Sequence, residues 1–169
     1  MSVNAVRFIA LARGDGAADN SPMFEKQIHS MEIGAVEPAP YERETRSIYV
    51  AVRPAYLDDQ SDPAGDRYVW AYTVVIENRG AESVQLISRY WNIVDGAGRV
   101  HEVRGPGVVG AQPVLGPGES FEYTSGCPLE TASGVMSGHY QMRAASGEAF
   151  EAEIPAFLLE SPYEKRQVH

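Results

Sequence analysis

The run Tyr68-Val69-Trp70-Ala71-Tyr72-Thr73-Val74-Val75-Ile76-Glu77 constrains the fold more than any other feature of the chain. β-branched and aromatic residues dominate it, and such side chains suit a pleated, well-covered surface while losing rotamer freedom in a helix. Asn78-Arg79-Gly80 turns the chain at its end. Upstream, Ile48, Val50 and Val52 alternate with Tyr49, Ala51 and Arg53, the period of a strand with one buried face. Pro54 is expected to stop that strand. Downstream, residues 84–94 form a third strand, and Asp95-Gly96-Ala97-Gly98 makes a hairpin turn into Arg99-Val100-His101-Glu102-Val103. Leu115-Gly116-Pro117-Gly118-Glu119 turns again, with further strands expected over residues 120–124, 135–142 and 149–154. Pro155 is expected to end the last strand before Phe157 and Leu158 pack on.

Sixteen glycines and eleven prolines among 169 residues fit short strands joined by tight turns better than helices. Roughly seven strands at spacings of about 8–12 residues predict an all-β, antiparallel immunoglobulin- or fibronectin type III-like β-sandwich. A closed barrel is the alternative that periodicity leaves open. The sandwich is expected over residues 44–160, after a loosely ordered extension over 1–43 and before a polar tail over 161–169. Within the extension, Phe24, Ile28 and Met31 lie near one face of a short helix considered over residues 23–31.

A net charge of −9 argues against a nucleic-acid-binding surface, which needs clustered Lys and Arg to neutralise phosphate. Cys127 is the only cysteine, so the chain forms no internal disulfide and no cysteine-based metal site of its own. The short apolar stretch Phe8-Ile9-Ala10-Leu11-Ala12 falls short of a signal-peptide core, and no other run approaches a membrane span. A cytoplasmic protein is expected.

Several blocks are specific enough to carry a family resemblance. Tyr68-Val69-Trp70-Ala71-Tyr72 with Ile76-Glu77-Asn78, then Leu86-Ile87-Ser88-Arg89-Tyr90-Trp91, resembles the bacterial ApaG (CorD) family, of the DUF525 domain type. So do residues 102–110, Glu-Val-Arg-Gly-Pro-Gly-Val-Val-Gly, and residues 117–126, Pro-Gly-Glu-Ser-Phe-Glu-Tyr-Thr-Ser-Gly. The blocks follow the family's order from about residue 48 to about residue 159; Ala111 departs from a Glu common there. The resemblance implies a fibronectin type III-like sandwich of two antiparallel sheets. It also implies a link to cobalt and magnesium tolerance, in operons with a dinucleotide-polyphosphate hydrolase and without an established activity. Similar eukaryotic domains sit in F-box proteins and in a DNA-polymerase-interacting protein, where they look like protein-interaction modules.

The glycine run Gly105, Gly107, Gly110 has the spacing of a dinucleotide fingerprint, which requires a strand before it and a helix N-terminus after it. Pro106, Val108, Val109 and then Gln112-Pro113 supply no helical pattern, and the Gly-Lys-Ser/Thr of a phosphate loop is missing. A turn whose glycines take positive φ or close contacts is the simpler reading. A weaker one is an amide nest for a phosphate- or pyrophosphate-like anion, with Arg104 and Arg89 adding charge.

The acidic loop Asp58, Asp59, Asp62, Asp66 lacks calcium-loop spacing, and His29, His101, His139 and His169 are dispersed. Cys127 has no evident base or helix N-terminus to activate it, and Pro128 suggests a strand-ending turn. Trp70, Trp91, Tyr72, Tyr90 and Phe121 are expected as core and inter-sheet aromatics.

The expectation is therefore a non-catalytic interaction module with no catalytic or metal residues and no cofactor. Its candidate anion- or partner-binding loop is Arg104, Gly105, Gly107 and Gly110. A protein partner is expected, a homodimer included, with no nucleic acid and no membrane. The alternative is a protein that binds a phosphate-like anion or a divalent cation.

Overall fold

The computed structural model describes residues 8–10, as backbone, and 38–164. Two sheets face each other. The first has strand order β1 (Phe8–Ala10), β8 (Ser120–Leu129), β4 (Tyr68–Asn78), β3 (Ile48–Tyr56), β2 (Tyr41–Thr45). The second runs β10 (Ala149–Glu160), β9 (Ser133–Ala144), β5 (Val84–Asp95), β6 (Val100–Pro106), with β7 (Val114–Leu115) also pairing β5. Among the described residues every pairing is antiparallel except β1 with β8. The expected sandwich is the architecture observed, with β1, β2 and β7 added to the strands read from the sequence. Among the described residues no helix is long and apolar enough to cross a membrane.

The core forms where inward positions of the two sheets meet. Ile48, Val50 and Val52 from β3 and Trp70, Tyr72, Val74 and Ile76 from β4 face Leu86, Trp91 and Ile93 from β5 and Met136, Tyr140 and Met142 from β9. Side chains of this size contribute about 1.5–3 kcal/mol each when fully buried. Tyr72, Trp91 and Phe157 tie both sheets together, with ring centroids 5.2 Å apart for Tyr72–Trp91 and 5.9 Å for Trp91–Phe157. Beyond β4, Leu57 covers Val69 and Ala71 in a second small cluster, just ahead of two short 3-10 turns, Asp58–Gln60 and Pro63–Gly65.

Three prolines correct the strand boundaries expected from the sequence. Pro54 lies inside β3, opposite Tyr72, beyond Val52 where β2 stops pairing. Pro128 lies inside β8, opposite Val69, beyond the stretch paired to β1. Pro155 lies at a register shift between Ile154 and Phe157 of the edge strand β10. Each has a flank with no ladder partner among the described residues, the setting in which a strand tolerates a residue without an N–H.

The sandwich also begins earlier than the boundary expected after residue 43, because β2 starts at Tyr41. Within the expected tail, Tyr163 packs its ring near Tyr56 and Tyr68. The helix considered over residues 23–31 lies outside the described residues, as do His29 and His169.

The two lateral sides of the second sheet differ. Beside β10, Arg43 pairs with Glu153 at 2.7 Å, Arg46 grips Glu148 through both nitrogens, and the Glu153 amide donates to Thr45 Oγ1. On the other side, β6 pairs with β5 and with no further strand among the described residues.

Candidate functional site

The glycine run departs from a simple loop. Gly105 belongs to β6, where it pairs with Arg89 of β5. A Cβ at Gly105 would stand 3.1 Å from both terminal nitrogens of Arg89, so the bare backbone gives the guanidinium room. From there Arg89 Nη1 donates to the carbonyls of Pro106 (3.0 Å) and Gly107 (2.9 Å). Arg89 therefore fastens the chain where it leaves β6.

The following turn is tight and inward-facing. Gly107 (φ +60°), Val109 (φ +48°) and Gly110 (φ +74°) all take left-handed conformations. Val108 and Val109 are buried and belong to the main core. The Gly107 amide donates to the Ile87 carbonyl, and Val108 and Ala111 exchange amide-to-carbonyl bonds at 2.8 and 2.9 Å. An anion nest needs successive amides pointing outward; those of Gly107 and Val108 are engaged within the chain.

Arg104 points to the outer face of the second sheet, its guanidinium carbon 4.2 Å from the centroid of the Tyr90 ring. The Tyr90 hydroxyl donates to Glu102 Oε1 at 2.7 Å, and the His139 ring lies 5.0 Å from Tyr90. Thus Arg104 joins Glu102, Tyr90 and His139 on an exposed face, while Gly107 serves the core. The residues expected to form one loop thus divide, with Arg104 on the outer face and Gly107 turned toward the core.

The remaining candidates are dispersed. His101 reaches Asp95 at 3.5 Å and His139 reaches Glu151 at 3.6 Å. Among the described residues no group of three or more His, Cys, Asp or Glu side chains gathers as metal ligands do. Cys127 is buried in β8, and burial pushes its thiol up to about 12. Such a thiol lacks the thiolate character of a nucleophile. Trp70, Trp91 and Tyr72 are core residues and Phe121 packs partly against the core, whereas Tyr90 is half-buried on the outer face.

Two features escaped the sequence reading. A cleft of about 430 Å³ opens beside Pro40, Tyr41, Tyr56, Trp70 and Leu158, built from segments far apart in the chain. The other is the outer edge of β6, whose exposure depends on strand order. The alternation of Glu102 and Arg104 with Val103 and Gly105 was the signal available in the sequence.

A two-sheet, fibronectin type III-like sandwich with a core-anchored glycine turn is the class this geometry defines. The ApaG domain matches residues 58–144, and the chain belongs to the ApaG family. It is 61% identical over 129 residues to Protein ApaG of Parvibaculum lavamentivorans, covering 76% of this chain and 99% of that protein. Protein ApaG of Rhodospirillum centenum is 64% identical over 123 residues, 73% of this chain and 95% of its own length. The crystal structure of an ApaA protein from Bordetella pertussis superposes with a TM-score of 0.67 at 50% identity, covering 75% of this chain and all of that one. The names of these relatives carry no enzymatic activity.

Proposed function

We propose that this ApaG chain is a non-catalytic interaction module of the cytoplasm that receives a protein partner by strand addition along the outer edge of β6. Its part in cobalt and magnesium tolerance, which the family resemblance implies, then runs through that partner. The observation that carries this reading is the contrast between the two sides of the second sheet. Ion pairs and a side-chain hydrogen bond cover the β10 side, whereas β6 has no second neighbour among the described residues. An unpaired edge offers main-chain donors and acceptors to an incoming strand, with alternate side chains setting the choice. The buried Cys127, unable to pair within the chain, suits a reducing compartment.

The test is affinity capture with the wild-type chain and with Glu102→Pro, the captured protein being identified by mass spectrometry. Proline is tolerated on an edge strand where the N–H faces away from the sheet. The expected result is a partner held by the wild type and lost by the variant while the melting temperature is kept. A partner retained by Glu102→Pro overturns the reading.

A further inference from the structure

We infer that the outer edge of β6 is built to pair with the same edge of a second copy of this chain, antiparallel, with the two-fold axis at Val103. The inference rests on the reading of β6 as the binding edge and names the occupant.

The hydrogen-bond phase of the strand fixes which groups face outward. The Gly107 amide donates to the Ile87 carbonyl, and the Asp95 amide donates to the Arg99 carbonyl. Both bonds join odd-numbered residues across the β5–β6 pairing. Bonds in an antiparallel ladder alternate between opposed residues, so the main-chain groups of Val100, Glu102 and Arg104 point away from β5. The same three residues are exposed, while Val103 packs against the core. Glu102 and Arg104 therefore combine outward-directed amides with side chains on the outer face.

A copy laid antiparallel against this edge can form ladder bonds only when its own even-numbered residues face these. A one-residue slip opposes outward amides with amides already turned to β5. Among the allowed registers, one with Glu102 on the axis opposes two carboxylates, and one with Arg104 on the axis opposes two guanidinium groups. Centring the axis on Val103 opposes Glu102 with Arg104 of the other copy, twice by symmetry. Opposite charges directly across a strand pair are favourable and like charges unfavourable.

The sequence of β6 completes the match. In this register Val100, 58% exposed, comes opposite Pro106, His101 opposite Gly105, and Val103 opposite itself. Apolar meets apolar, large meets small and acid meets base along the strand. A self-complementary edge of this kind generates a closed two-fold dimer rather than an open filament. Tyr90 adds preorganisation, holding Glu102 through its hydroxyl and Arg104 over its ring.

Sedimentation velocity on the full chain tests this at concentrations up to about 1 mM, the weak end of specific association. The wild type is expected to self-associate. Glu102→Arg and Arg104→Glu should each weaken self-association by about tenfold or more, since each opposes like charges twice. An equimolar mixture of the two variants, and separately the double variant Glu102→Arg/Arg104→Glu, should recover the dimer. Thermal melts confirm that each variant is folded. A wild type that stays monomeric, a dimer indifferent to either swap, or a mixture that does not recover would overturn the inference. A monomeric wild type whose captured protein is lost in Glu102→Pro assigns the edge to a foreign strand. That outcome overturns the dimer and leaves the binding-edge reading standing.

Discussion

The hydroxyl of Tyr123, on β8 of the first sheet, hydrogen-bonds to the hydroxyl of Tyr140, on β9 of the second, in the middle of the sandwich. Both rings are buried, and burial raises both phenol pKa values above the ordinary range. Replacing either residue by Phe strands one hydroxyl in the core, at a cost of about 1–3 kcal/mol. The double variant Tyr123→Phe/Tyr140→Phe removes both groups and should cost less than the two single losses added together. Urea unfolding of the four proteins in the cycle measures the difference.

Gly107 and Gly110 share a left-handed backbone but differ in surroundings. A Cβ at Gly107 would sit 2.3 Å from the Ala111 carbonyl oxygen, whereas one at Gly110 would meet nothing within 4 Å. Gly107→Ala is expected to destabilise by about 3 kcal/mol or more, from backbone overlap added to strain. Gly110→Ala should cost about 1–2 kcal/mol from strain alone. Thermal denaturation of the two variants gives the ranking.

Asp95 is a buried carboxylate in the β5–β6 hairpin, its side chain 2% exposed. Burial acts to raise its pKa, but the Arg99 and Ala97 amides, the Arg99 guanidinium and His101 outweigh burial and hold the carboxyl below its usual value. A depressed carboxylate contributes stability that is fully present above the unfolded-state value of about 3.9 and is lost as pH falls through the lower folded-state value. Asp95→Asn should be less stable at pH 7 and should lose less of its remaining stability on acidification. Chemical denaturation at a series of pH values from neutral to acid reads both effects.

Cys127 should resist iodoacetamide in the native protein, since burial both hides the thiol and keeps it protonated. Mass spectrometry should show one added carbamidomethyl group only after unfolding in guanidinium. Rapid native alkylation would contradict the buried position of β8.

Tyr56 carries a buried hydroxyl without a hydrogen-bond partner among the described residues, at the wall of the cleft beside Trp70. Removing an unsatisfied buried hydroxyl is neutral or favourable. Tyr56→Phe is therefore expected to keep or raise stability, by up to about 1 kcal/mol, and a clear loss on denaturant unfolding would show that the hydroxyl is satisfied in solution.

The strands β4 and β5 were legible because their β-branched and aromatic runs leave no competing period, and Asp95-Gly96-Ala97-Gly98 marked their hairpin neighbour. The prolines at 54, 128 and 155 misled because their cost depends on whether a neighbouring strand reaches them, which is a property of sheet order. Arg104 and Gly107 read as one loop for a similar reason. Their separation follows from the direction each takes at the end of β6, and adjacency in sequence carries no record of it. Arg89 was legible only as a nearby charge, since its service to the carbonyls of Pro106 and Gly107 requires the β5–β6 register.

Val108 and Val109 make the glycine-rich turn a stopper set into the interior. A surface loop of similar composition would open on its own, at small free-energy cost. Here, lifting the turn uncovers core side chains and releases the carbonyls held by Arg89, so its opening belongs to the cooperative unit of the whole sandwich. The stretch richest in residues associated with pliancy is thereby among those whose motion is most tightly bound to global unfolding.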